Sequence, residues 1–299
     1  MNNFNLITGR FGFLGKGIYD YFIQSNMPLI SLGRNENDDL KYDLVFDEIK
    51  LNQSFNTVIH CAGKAHVVPR SEKEKQDFFE VNVTGTNNLL KALEKTPPKA
   101  FVFISSVSVY GLETGTLINE ESHLLAKDPY GLSKIQAELI VTDWCSRHGV
   151  ICTILRLPLL AAANPPGNLG AMISGIKKGH YVNIAGGTAK KSIVLVEDVA
   201  SIIPTVAAIG GTFNLTDGYH PSFFELSVLI AEKMHKSAPY NISYFIAWPI
   251  ALIGDLVGKK SPINRNKLIK ITSDLTFDDS KAKRILGWKP NEVLKKFNL

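Results

Sequence analysis

Tyr130-Gly131-Leu132-Ser133-Lys134 sets a phenol and an ammonium four residues apart. On a helix those positions share one face, so both groups can point into a single site. A phenol titrates near ~10, and proton exchange at neutral pH requires its phenolate to be favoured by about 4 kcal/mol. A neighbouring cation is the direct way to obtain part of that. Taken alone, the spacing reads first as an amphipathic helix with a solvated lysine. One connection upstream, FVFISSVSVYG delivers Ser105, Ser106 and Ser108 at the end of an apolar run, where a hydroxyl can stand beside the phenol.

A second group of residues suits phosphate. TGRFGFLG follows the first apolar run and opens a helical pattern, with Gly9, Gly12 and Gly15 three apart. Such glycines permit a tight turn, let a pyrophosphate approach the backbone and allow close helix–strand packing, with the phosphate at the positive helix N-terminus. A tight turn that binds nothing is the alternative. The next strand ends Leu32-Gly33-Arg34, and Arg10 sits inside the glycine turn. Two guanidiniums there suit the 2′-phosphate of NADP(H), although Glu36, Asp38 and Asp39 lie close and keep NAD(H) open. HCAGKAH (His60–His66) follows a further strand. Ala62 and Gly63 let backbone approach a cofactor, Lys64 and His66 can reach an anionic or hydroxylated substrate, and His60 reads as a packed histidine bonded to backbone. Asn82 falls within an amphipathic helical pattern, either exposed or as a buried relay.

The elements that must position these groups alternate. Strands are expected at Phe4–Thr8, Leu29–Leu32, Thr57–Cys61, Phe101–Ser105 and Val150–Leu155, with helices near Gly15–Ser25, Asp77–Lys95 and Tyr130–His148. Continuous apolar strands alternating with helices imply an α/β fold, a doubly wound parallel sheet of the Rossmann type. After Pro158 the pattern loosens, with AAANPPGN as loop chemistry. Ile193–Val196 and helix Glu197–Ile209 read as a return to the sheet. Residues 1–160 with about 192–217 are therefore expected to form a dinucleotide-binding domain. About 161–191 and 218–299 would form a smaller, discontinuous substrate lobe.

The chain has 299 residues, 45% hydrophobic and 20% charged, with a net charge of +5. Its cations are scattered, which disfavours nucleic acid and suits an anionic small ligand. Three cysteines in apolar surroundings fit reduced packing residues and a cytoplasmic setting, with neither a disulfide framework nor a metal site. No leader peptide is expected, since cleavage would destroy the glycine motif. Tyr244–Val257 is too short and interrupted to span a bilayer, and reads as a core or interfacial helix of the C-terminal part, with membrane-surface contact as the minor alternative.

Taken together, TGRFGFLG, VIHCAGKAH, NVTGTNNLL, FISSVSVYG, YGLSK, ILRLPLL, SIVLVEDVA and RILGWKP resemble the extended short-chain dehydrogenase/reductases of the NAD-dependent epimerase/dehydratase group, which act on nucleotide sugars. The resemblance implies a catalytic set of Ser106, Tyr130 and Lys134. It implies a cofactor lined by the turn Gly9, Arg10, Gly12, Phe13, Leu14, Gly15, by Arg34, by the loop Cys61, Ala62, Gly63, by Ser105 and by the Pro158-Leu159 segment. Asp43 and Leu44 would lie near the adenine, and Asn168 and Lys191 would hold a UDP-sugar, with Lys64, His66 and Ser106 near the sugar. Two departures stand out: a lysine at 191 where the family often has arginine, and Ala161-Ala162 where Tyr-Gly is usual. The nearest likeness is to UDP-hexose 4-epimerases and UDP-4-keto-6-deoxy-hexosamine 4-reductases of polysaccharide synthesis. It implies either NADPH-dependent 4-keto reduction or 4-epimerisation on held NAD, with a cofactor-sensing protein as the non-enzymatic alternative. A homodimer through the long helices is common in the family.

Overall fold

The computed structural model describes residues 4–65, 67–257 and 264–299; His66 lies outside them. The chain opens with β1 (Asn5–Thr8), buried along its whole length, and α1 (Phe13–Gln24). Then come β2 (Leu29–Gly33), β3 (Leu40–Lys41), β4 (Thr57–His60) and α2 (Glu72–Phe79). A π-helical turn, Glu80–Thr84, leads into α3 (Gly85–Ala92), β5 (Ala100–Ser106) and β6 (Gly115–Ile118). After α4 (Pro129–His148) follow β7 (Ile151–Leu157), β8 (Leu159–Ala161), α5 (Gly167–Lys177) and β9 (Asn183–Ile184). β10 (Ile193–Leu195), α6 (Val196–Ile209) and β11 (Gly211–Asn214) complete the central part. The remainder is α7 (Phe223–Lys233), β12 (Asn241–Ile242), α8 (Tyr244–Val257), α9 (Arg265–Thr272), β13 (Leu275–Phe277), α10 (Ser280–Leu286) and α11 (Val293–Lys296).

Seven strands form one parallel sheet in the order β11-β7-β5-β4-β1-β2-β3. Apolar side chains cover both faces, as a parallel sheet requires. On one face Ile18 and Phe22 of α1 and Val199, Ile203 and Val206 of α6 pack on Ile7, Ile59 and Leu155. On the other, Leu89 and Leu90 of α3 and Ala137, Val141 and Trp144 of α4 pack on Leu6, Val58 and Phe101. The chain runs one way from β1 through β2 and β3, and the other way through β4, β5, β7 and β11. The crevice outside the carboxyl ends of β1 and β4 is thus the topological switch point, where such sheets receive ligands.

Two expectations require correction. Ile193–Leu195 does not rejoin the central sheet; it pairs with Leu159–Ala161 in a separate two-stranded sheet, and the return strand is Gly211–Asn214 on Ile151–Leu157. The helix expected over Asp77–Lys95 begins earlier and is interrupted. The Ser71 hydroxyl caps its start by accepting from the Glu74 N–H at 3.2 Å, and the π turn separates α2 from α3. Further along, α5, α7 and α11 share a core of Leu169, Met172, Ile176, Leu226, Ile230, Val293 and Phe297. Helix α8 contributes only Ala247 and Ala251 to its small core with Leu268 of α9, so Tyr244–Val257 is not a core helix.

Candidate active site

Helix α4 begins where the sequence caps it. The Asp128 carboxylate accepts from the Gly131 N–H at 3.0 Å, Pro129 occupies the first turn, and Gly149 ends the helix at φ +63°. This fixes Tyr130, Ser133, Lys134 and Glu138 along the face turned toward β5. Ser106 closes β5, with its side chain accepting from the Ser108 N–H at 3.2 Å.

Burial drives the Tyr130 phenol above its ordinary pKa, and the charge of Asp128 adds to that, while a hydrogen bond with the Ser106 hydroxyl acts in the opposite direction. The lysine four residues on is not what lowers it here. Its ammonium donates to the Ile104 carbonyl at 2.8 Å and stands 4.7 Å from the centre of the Phe103 ring. Burial pulls Lys134 itself down to about 8, although Cys61 and Glu138 both act to raise it. Desolvation outweighs the Ser106 hydrogen bond at Tyr130 and the charges of Cys61 and Glu138 at Lys134.

The loop after β4 is clamped to α4 through Asn82. This asparagine, turned inward by the π turn and fully buried, accepts from the Lys64 N–H at 2.7 Å. It donates to the Lys64 carbonyl at 3.1 Å and to the Ser133 hydroxyl at 2.9 Å. Ser133 in turn donates to the Tyr130 carbonyl at 2.8 Å. Asn82 is thus buried and not exposed, and it ties the loop to α4. His60 extends the chain: Thr86 gives its proton to the Asn82 carbonyl, so His60 donates to Thr86 from Nε2 at 2.9 Å and accepts at Nδ1 from Thr8 at 2.6 Å. Burial, with the Lys134 charge, holds this imidazole neutral at about 3. It is a packed histidine, bonded to hydroxyls instead of backbone. Thr8 also accepts from the Ala62 N–H at 3.2 Å, tying the glycine turn to the same loop.

The glycine turn is tightly packed against the loop after β4. Gly9 adopts φ +73°, and a Cβ there would lie 2.6 Å from the Ala62 nitrogen; one on Gly15 would lie 2.0 Å from the Gly9 carbonyl oxygen. The N-terminus of α1, at Gly12, Phe13 and Leu14, has no side-chain cap and no acidic residue in its first turn. The Gly12 N–H is taken by the Gly9 carbonyl at 2.9 Å, so the N–H groups of Phe13 and Leu14 are the ones such a helix start offers to an anion. At the end of β2, Arg10 stacks 3.6 Å from the centre of the Tyr19 ring and donates to the Asn37 carbonyl at 3.1 Å. Arg34 is exposed and 3.9 Å from the Asp43 carboxylate. Of the nearby acids, Asp39 accepts from the Ser31 N–H and hydroxyl at 2.8 and 2.7 Å. Asp38 caps the Asn35 N–H at 3.1 Å and keeps one buried oxygen without a partner. Leu44 gives its carbonyl to Asn88 at 2.9 Å, and Pro158 joins β7 to β8.

Other residues singled out from sequence are already engaged. The Ser105 hydroxyl is turned away into Glu138. Lys64 forms a 2.6 Å ion pair with Asp77 beside the Phe78 ring. The Lys191 ammonium donates to the carbonyls of Lys270 and Ser273, each at 2.9 Å. Asn168 lines a cavity of about 670 Å³ between α5, α8 and α9, whose wall also carries Met172, Tyr181, Phe223, Lys267 and Lys270. The two cavity lysines were not singled out from sequence. Nor was the buried chain below Ser105, in which Arg156 pairs with Glu138 at 2.8 Å, donates to Tyr110 at 3.2 Å, and Tyr110 donates to Asn214 at 2.8 Å. An arginine inside the apolar run ILRLPLL was the available signal, since a charge in a covered strand must find a partner. Among the described residues no group of three His, Cys, Asp or Glu could hold a metal ion.

The model of the NAD dependent epimerase/dehydratase family matches residues 5–215. The chain belongs to that family. It is an enzyme of the extended short-chain dehydrogenase/reductase type. This family member is 29% identical to a UDP-glucose 4-epimerase of Vibrio cholerae, over 97% of the chain and 91% of that protein. It is 25% identical to the N-acetyl-alpha-D-glucosaminyl-diphospho-ditrans,octacis-undecaprenol 4-epimerase of Escherichia coli O157:H7, over 94% and 89%. Among solved structures, the UDP-N-acetylglucosamine 4-epimerase of Bacillus cereus aligns at a TM-score of 0.72 and 22% identity, over 97% and 94%. RMD from Pseudomonas aeruginosa, complexed with NADPH, aligns at 0.72 and 21%, over 98% and 96%. At these identities the solved structures speak for the fold.

Proposed function

We propose that the protein is an NADP(H)-dependent oxidoreductase that reduces the 4-keto group of a UDP-4-keto-6-deoxy-(N-acetyl)hexosamine, supplying a surface-polysaccharide precursor in the cytoplasm. The observation that carries this reading is the end of β2. Gly33 provides no carboxylate for a ribose 2′-hydroxyl, and Arg10 and Arg34 stand nearby with Asp39 already taken by Ser31. Guanidiniums at that point suit a 2′-phosphate, and net reduction draws on NADPH.

The nicotinamide, when bound, supplies hydride to the sugar carbon. Everything else falls to this chain's residues. Tyr130 hands its proton to the oxygen that gains charge, and its raised pKa keeps that proton on at neutral pH until the oxyanion develops. Ser106 bonds the same oxygen and the phenol, orienting one to the other. Lys134, with protons left beyond the one given to Ile104, holds a ribose hydroxyl and stabilises the phenolate once it forms. The Asn82 clamp keeps Ala62 and Gly63 against the cofactor, and the turn from Gly9 to Gly15 takes the pyrophosphate. Residues 161–191 and 218–299, with Asn168, Lys191, Lys267 and Lys270, receive the nucleotide sugar.

A second reading is a UDP-hexose 4-epimerase on permanently held NAD, favoured by the names of the relatives from Vibrio cholerae and Escherichia coli. The unpartnered Asp38 oxygen would then seek the ribose. Purified protein separates the two. The reductase arrives without bound dinucleotide, oxidises NADPH with a UDP-4-keto-6-deoxyhexosamine, and loses its preference for NADPH over NADH when Arg10 and Arg34 become alanine. Tightly held NAD released on denaturation, with no NADPH oxidation, would assign the epimerase.

A further inference from the structure

Glu138 lies one turn beyond Lys134 on the inner face of α4 and is only 5% exposed. Ser105 of β5 and Arg156 of β7 are register partners in the parallel sheet, so their side chains leave it on the same face. Both end on this one carboxylate. The Ser105 hydroxyl donates to Oε1. Arg156 donates from Nη2 to Oε2 at 2.8 Å and from Nε to the two oxygens at 3.2 and 3.3 Å. Buried ion pairs are often no more stabilising than apolar residues of like volume, so stability alone does not account for one here. Its place in the fold gives it a second consequence. Ser105 stands between Ile104, whose carbonyl takes the Lys134 ammonium at 2.8 Å, and Ser106, whose hydroxyl bonds the Tyr130 phenol. Fixing Ser105 therefore fixes both of its neighbours against α4.

The charges around Lys134 single out the same residue. His60 of β4 is held neutral at about 3 and Cys61 after it stays a thiol up to about 12, burial being the main cause at each. Tyr130, on the same helix, keeps its proton. Glu138, paired with Arg156, is the carboxylate among the groups that act on the Lys134 charge. We propose that Glu138 is a positioning residue of the active site, which holds the end of β5 against α4 and supplies the negative charge that balances the Lys134 ammonium. It acts through Ser105 and Lys134 and not on the reacting atoms. The proposal rests on Ser106, Tyr130 and Lys134 being the catalytic set, and is independent of which nucleotide sugar is turned over.

The whole chain, isotope-labelled at the lysine Cε, is titrated by NMR, with the Lys134 resonance assigned by its absence from Lys134→Met. Glu138→Gln keeps the size of the side chain and removes its charge. The Lys134 titration is expected to move at least about half a pH unit lower than in wild type, and part-way back in Glu138→Asp. An unmoved titration in folded Glu138→Gln would overturn the proposal. Ser105→Ala is the second arm, since it leaves the Arg156 pair in place and serves even where Glu138→Gln folds poorly. Its urea midpoint is expected close to that of wild type. Its kcat for NADPH oxidation with a UDP-4-keto-6-deoxy-N-acetylhexosamine is expected to be about tenfold lower, with KM for NADPH unchanged. A wild-type kcat in Ser105→Ala would also overturn the proposal, leaving Glu138 as a partner for Arg156 alone. A wild-type protein inert in that assay would fail the proposed reduction only. The lysine titration needs no substrate and still decides for or against Glu138.

Discussion

Helices α4 and α8 break the amphipathic rule in opposite directions. Helix α4 buries Ser133, Lys134 and Glu138 and exposes Leu139. Helix α8 buries alanine and exposes its phenylalanine, isoleucines and leucines. The first departure is resolved inside the chain. Each buried polar group on α4 has a named partner: Asn82 for Ser133, the Ile104 carbonyl for Lys134, Arg156 for Glu138. The second is not resolved among the described residues, none of which covers the large apolar side chains of α8. Polar groups inside must be satisfied locally or the fold fails, whereas apolar groups outside await something from elsewhere. Departures of either kind concentrate where a protein does its work.

This contrast can be broken by substitution. The largest effect is expected at Tyr130→Phe, which keeps the ring against Phe78 and removes the proton. Turnover should fall by about 10²–10⁴-fold in steady-state assays with little change in cofactor affinity; near-normal turnover would reduce α4 to a scaffold. Glu138→Ala comes next. It leaves a buried guanidinium uncompensated and should cost about 3–5 kcal/mol by urea unfolding, and a loss under 1 kcal/mol would mean that water reaches Arg156.

Lys134 allows a test by pH. Its folded value of about 8 lies below the ordinary 10.5, so the unfolded chain binds more protons between those values. Burying the cation therefore costs stability below pH 8, and the cost fades as pH rises through that window. Wild type should gain on Lys134→Met by up to about 3 kcal/mol from pH 8 to 10.5, followed by urea midpoints. A falling difference would contradict the burial account. The smallest effect belongs to α8: Phe245→Ser should change folding stability by no more than about 0.5 kcal/mol, since an exposed side chain has little to lose. A loss as large as that of Glu138→Ala would show that α8 is covered after all.

Much of the α4 side was legible in the sequence. The glycine turn, the strand-end serines and the Tyr130–Lys134 spacing are local patterns, and local patterns survive into structure. What escaped depended on distance. Nothing near Lys191 or Lys64 announces that their ammoniums are given to the α9 carbonyls and to Asp77. Arg156 signals the need for a partner but not which one. Gly211–Asn214 is too short and mixed to outrank Ile193–Leu195 as the returning strand, although only the first pairs with β7. Hydrophobicity alone cannot tell whether Tyr244–Val257 faces in or out, because its few small residues happen to form the inner stripe.

The central claim is hydride delivery to a sugar carbon beside Tyr130. It is tested most directly with NADPH carrying deuterium on the transferred face and a UDP-4-keto-6-deoxy-N-acetylhexosamine, followed by mass and NMR analysis of the sugar. One deuterium at C4, matched by one NADPH consumed and abolished in Tyr130→Phe, is the expected result. A product without deuterium, or a Tyr130→Phe variant that labels C4 as fast as wild type, would contradict it.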